Sequence, residues 1–206
     1  MATTTPNYGW TVPTSTDLVK DGATAIETLG DSIDASMFTA LGTKKSGLVL
    51  LNTTSFSAVS TQPINDVFSS TYDHYRIVCD FIGSTAVAQY MRLRVSGADN
   101  TSTNYNRQYL LASNTLVSGG RGTINAWAMT NATSTTRGAW VMDVFNPFLT
   151  QVTGAFSQQL ALYNGASNFI NLEGHAFNTA TSFTGFSIYP DTGTITGTVS
   201  VYGYNK

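Results

Sequence analysis

The chain has 206 residues, a net charge of −2 and one cysteine, Cys79, which cannot form an intrachain disulfide. Only 11% of its residues are charged, against about 25% in an ordinary soluble domain, and threonine, serine and asparagine take their place. With 42% hydrophobic and 12% aromatic residues the chain is not compositionally disordered; it offers no basic surface for nucleic acid and no apolar run near the roughly 18 residues of a membrane span.

Residues 1–13 read as an irregular lead, interrupted by Pro6, Gly9 and Pro13. The lead has no lysine or arginine and no apolar core, so a signal peptide is not expected. Tyr8 and Trp10 stand out in this polar stretch. Together with Pro13 they are candidates for anchoring the chain to a larger assembly; the competing reading packs the two rings onto their own helix.

Residues 14–43 read as a helical segment, with the helix itself over 14–41. Thr14 and Asp17 after Pro13 make a candidate capping box. Asp17 and Asp21 suit the positive end of the helix dipole, and Gly42 is a suitable stop. Val19, Gly22, Ile26, Leu29, Ile33, Ser36 and Ala40 recur at 3-4 spacing, which is a heptad pattern. Val19, Ile26, Leu29, Ile33 and Ala40 are therefore expected to join copies of the chain or to dock on a partner. The alternative is one amphipathic helix lying on its own domain.

From Thr43 onward the helical period gives way to short alternating segments. Strands are expected near 47–51, 54–59, 74–82, 88–96, 107–112, 122–129, 137–145, 155–163, 168–177, 183–189 and 194–204. Tyr90–Val95 and Thr198–Tyr202 show the alternation well. Gly97 with Asp99, Asn164-Gly165, and Asp191 with Gly193 supply turns. Many short strands at this spacing predict that residues 44–206 form an antiparallel β-sandwich of jelly-roll type, preceded by one helix. Cys79, between Ile77 and Phe81, is expected as a buried thiol.

Catalytic and cofactor signals are weak. His74, His175 and Cys79 lack metal-ligand spacing, and no G-x-S-x-G occurs, so neither a cofactor nor an enzyme is expected. Asp80, Asp143 and Glu173 are the acids well inside strands, where cross-strand pairing with Arg76, Arg92 or Arg94 is the simplest role. A glycan hydrolase would need two of them facing one sugar. Trp127 and Trp140, placed on adjacent strands, are expected mainly as packing. Tyr105, Asn106 and Arg107 follow the turn-rich stretch Ser96–Asn104 and are the best candidates for a sugar-binding loop at a sheet end.

The run Gly9-Trp10-Thr11-Val12-Pro13, then Ser15-Thr16-Asp17, then Val19-Lys20-Asp21-Gly22-Ala23 resembles an N-terminal module of tailed-phage minor tail and fibre proteins. Gly47-Leu48-Val49-Leu50, Phe68 to Val78, Asn146-Pro147-Phe148-Leu149 and the closing Gly193 to Tyr204 resemble a C-terminal module of phage and prophage structural proteins. The resemblance implies a virion protein assembled in the host cytoplasm, with other virion proteins and copies of itself as partners and a homotrimer by analogy with fibres. The β domain is then expected to project outward, with a bacterial surface glycan as its candidate contact. A capsid decoration or head-fibre protein is the main alternative, and a surface-polysaccharide hydrolase the lesser one. The long stalk of many relatives is missing between Leu41 and Gly47, which favours a compact knob.

Overall fold

The computed structural model describes residues 3–14, 16, 18–41, 47–113, 115–163 and 167–205. Asp17, Gly42 and the Asn164-Gly165 turn lie outside the described residues. The chain divides into two compact units, residues 1–46 and 47–206. It is mainly β, antiparallel throughout its described pairings, with one α-helix.

In the first unit, β1 (Thr3–Thr4) pairs with β2 (Thr11–Val12). A 3-10 turn over Val19–Asp21 leads into α1 (Gly22–Leu41). The helix therefore starts later than the expected residue 14. Thr14 and Thr16 join their hydroxyls at 3.0 Å instead, and hydroxyl side chains near a helix start compete for the local hydrogen bonds that helix entry requires. The cap position is Leu18, extended and without a side-chain cap.

The lead lies against its own helix. Trp10 Nε1 donates to Ser36 Oγ at 2.9 Å, and Tyr8 stacks on Trp10 with ring centres 5.1 Å apart. Thr11 borders a depression with Thr24, Ala25 and Thr28. The lead thus meets α1 at Ser36. Apolar side chains beside it stay open: Ile26 is 66% and Met37 54% exposed, and Val19 of the preceding 3-10 turn is 97% exposed. Leu29 and Ile33 are half-buried at its border, and Ala40 is exposed.

The second unit contains β3 (Leu48–Val59), β4 (Gln62–Ile64), β5 (His74–Gly83), β6 (Val87–Val95), β7 (Ala98–Asp99), β8 (Tyr105–Ser113) and β9 (Leu116–Ile124). It continues with β10 (Trp127–Ala132), β11 (Gly138–Phe145), β12 (Gln151–Tyr163), β13 (Ser167–Thr181), β14 (Gly185–Pro190) and β15 (Ile195–Tyr204). One sheet has the order β3-β15-β5-β11-β12-β13-β8-β9. The other has β10-β6-β14-β4, with β7 on β6.

Alternation assigns the faces. Tyr75, Ile77, Cys79 and Phe81 of β5 and Trp140, Met142 and Val144 of β11 are buried, while the residues between them reach the surface. Met91, Leu93, Trp127, Phe186 and Ile188 come from the other sheet, and all of these belong to one apolar cluster. Trp127 and Trp140 lie on consecutive strands, β10 and β11, but in different sheets, and both are core residues. Trp140 Nε1 donates to Gln89 Oε1.

Strands expected at 47–51 and 54–59 are one element, β3, kept continuous across two irregularities in its pairing with β15. The expected strand 122–129 spans the turn between β9 and β10. β9 itself carries Gly119, Gly120 and Gly122, which mask its strand character, because glycine is depleted in strands.

Candidate functional site

β12, β13, β8 and β9 extend the larger sheet beyond β11, and β10 packs on β12 and β8. The inner face of this extension is polar. Cross-strand register places Gln159 opposite Asn171, Ser157 opposite Glu173, Glu173 opposite Tyr109, and His175 opposite Arg107. A period of two brings all seven side chains to one face.

They bond in series. Arg107 Nη1 donates to Glu173 Oε1 at 3.3 Å. Asn171 Nδ2 donates to Glu173 Oε1 and to Gln159 Oε1. Gln159 Nε2 donates to Ser157 Oγ at 3.0 Å, and Ser157 Oγ meets His175 Nε2 at 2.9 Å. Burial raises the Glu173 carboxyl, against the pull of Arg107 and the amides. Burial, and then the Arg107 charge, depress His175 from 6.5 to about 3, so its imidazole is neutral at ordinary pH.

Ser157, His175 and Glu173 have the residue types of a nucleophilic triad, but not its geometry. Glu173 Oε2 lies 3.8 Å from His175 Nε2, the nitrogen that already meets the serine. A relay needs the carboxylate on the opposite nitrogen, and His175 Nδ1 has no partner. Ser157 is fully buried. This cluster acts as a polar pin beneath the sheet extension.

The other strand acids are also committed. Arg76 grips Asp143 with Nε–Oδ1 at 2.8 Å and Nη2–Oδ2 at 2.7 Å, and the Tyr204 hydroxyl donates to Oδ1 at 2.8 Å. The Arg76 hydrogen bonds hold the Asp143 carboxyl below its usual range. Asp80 pairs with Arg137, and Glu173 with Arg107, not with Arg92 or Arg94 as expected. Arg92 bonds the Asn125 carbonyl and lies over Tyr189, while Arg94 pairs with Asp99.

A cleft of about 350 Å³ opens where the extension meets the edge strand β10. Tyr90, Ala128 and Asn131 line it from the smaller sheet; Arg107, Tyr109, Phe169 and Asn171 line it from the larger. The Arg107 guanidinium sits 5.0 Å from the centre of the Tyr109 ring. Tyr109 in turn lies across Gly120, its cross-strand neighbour, where any Cβ would fall 2.7–3.0 Å from ring atoms. Glycine is the residue that leaves room for this ring. Asn171 is 8% exposed, and its Oδ1 has no hydrogen-bond partner. Among the described residues, the Asn131 side chain makes no hydrogen bond.

The three sequence-selected residues separate. Tyr105 is wholly buried, with its ring centre 5.6 Å from Trp127 and 4.9 Å from Phe177. Its hydroxyl accepts from the Leu93 N–H at 3.0 Å and donates to the Asn100 carbonyl at 2.9 Å. It is a core residue at the start of β8, so it cannot offer an exposed ring to a sugar. Asn106 points to the opposite face and accepts from Thr123 Oγ1. There it borders a broad outer-face trough of about 720 Å³ with Gln108, Arg121 and Phe145. Arg107 alone reaches the inter-sheet cleft. Tyr109, two residues on, is the aromatic that sequence reasoning missed; its signal was the period of two from Arg107.

Compared with family models, with curated proteins and with solved structures, the chain gives no match.

Proposed function

We propose that this chain is a structural protein of a tailed-bacteriophage particle, of the tail-fibre or minor-tail type. It attaches through its N-terminal unit and turns its β domain toward the host surface. The observation that carries this reading is the open apolar stripe of α1. The lead is bonded to the helix through Trp10 and Ser36, yet Ile26 and Met37 of α1 and Val19 just before it stay exposed to water. A helix that leaves such apolar side chains open is suited to a partner. Copies of the same helix in a trimer are the preferred occupants, by analogy with fibres.

The strand order supports a jelly-roll sandwich. With β7–β9 and β12–β13 set aside as insertions, eight strands remain: β3, β4, β5, β6, β10, β11, β14 and β15. Numbered first to eighth, they run first-eighth-third-sixth in one sheet and second-seventh-fourth-fifth in the other. That is the interleaving of two Greek keys, an architecture used by viral capsid and lectin domains. A charge-poor, hydroxyl-rich surface fits the same setting.

Immunogold labelling of intact particles tests the reading. A few copies at the tail are expected. Dense labelling of the head would replace the tail assignment with capsid decoration, and absence from particles would defeat both.

A further inference from the structure

We propose that the cleft between β10 and the sheet extension binds a neutral pyranose unit. Its source as a host surface glycan rests on the virion reading above; the binding itself does not.

Its volume, about 350 Å³, lies near the lower end of the roughly 300–1,000 Å³ typical of small-molecule sites. Its chemistry is that of a sugar site: ring faces for the apolar side of a pyranose, and amide and guanidinium groups for its hydroxyls. Tyr90, backed by Tyr189 with ring centres 5.7 Å apart, and Tyr109, which carries Arg107 over one face, supply the rings. Arg107 uses one hydrogen bond, to Glu173, among the described residues, leaving most of its five donors uncommitted. Asn131 offers both a donor and an acceptor.

Asn171 lines the cleft from β13 and is held in place through Nδ2, which donates to both Glu173 and Gln159. The site is also pre-set: Glu173 and Tyr109 hold Arg107, and Gly120 seats Tyr109. A rigid site loses less entropy on binding. Charge selects the ligand class. The carboxylate of Glu173 sits behind Arg107 and matches it, so an added ligand carboxylate would face a buried acid.

The test uses the full chain and methyl pyranosides of the gluco, galacto, manno and N-acetylglucosamine series, read by saturation-transfer NMR and calorimetry. At least one should bind with a Kd of about 1 mM, the scale expected for a few such contacts. Asn131→Ala breaks no hydrogen bond of the protein, so it should weaken binding about tenfold at unchanged melting temperature; Tyr109→Phe should weaken it less. Glucuronate should bind at least tenfold more weakly than the glucoside. Failure of every pyranoside, or wild-type affinity in both variants, overturns the site. Glucuronate binding as tightly as the glucoside overturns its neutral selectivity. Because isolated protein is measured, this answer does not depend on whether particles contain the chain.

Discussion

Single side chains show how strand geometry redistributes chemistry. Tyr105, Asn106 and Arg107 are contiguous, yet adjacent strand residues face opposite sides of the sheet. One became core, one reached the outer face, and one reached a cleft. His175 carries the clearest pH signature. Its value falls from 6.5 to about 3 on folding, so the unfolded chain binds the proton more readily below 6.5. Its stability contribution is present above 6.5 and is lost as pH falls toward 3. The lowered Asp143 acts in the same sense at more acidic pH. Glu173 acts oppositely: its contribution is present below the ordinary 4.5 and is lost as pH rises through its elevated value. The His175 contribution should therefore fall between pH 6.5 and 4.5, by up to about 1.4 kcal/mol per unit. His175→Gln should flatten that slope in urea melts at pH 6.5, 5.5 and 4.5. An equally steep slope in the variant would assign it to another group.

Among the elements, α1 separates assembly from folding. Ile26 is 66% exposed and Ile33 half-buried, so Ile26→Asp with Ile33→Asp should leave the chain folded as a monomer. At a buried helix–helix seam each carboxylate would carry a desolvation cost of several kcal/mol. Loss of oligomers by light scattering, with unchanged near-ultraviolet circular dichroism, is expected. An unchanged oligomer would show that assembly uses another surface. The heptad was legible because apolar residues at 3-4 spacing leave a plain mark. The helix start was not, because the threonine-rich entry bonds to itself.

For the molecule as a whole, the core cluster lies entirely within residues 47–206. Removing residues 1–46 deletes none of it. That fragment should remain β-rich and unfold cooperatively by circular dichroism, since a domain of this size can bury about two thirds of its unfolded surface. A broad, non-cooperative melt would mean that the N-terminal unit is needed for the β domain to fold.

The sequence by itself determined the secondary-structure class: one helix marked by a heptad, then strands marked by alternation, as in β5, β6 and β15. It also made a buried thiol of Cys79 readable, because flanking apolar residues two apart share its face. Only the tertiary structure decided which strands became neighbours. That choice sent Trp127 and Trp140 to opposite sheets, gave Glu173 to Arg107, and set Tyr109 over Gly120. The physical reason is range. Periodicity reports which face a residue takes within its own strand. Pairing between strands far apart in the chain is settled by packing and register across the whole core, and the cleft exists only where two such sheets part.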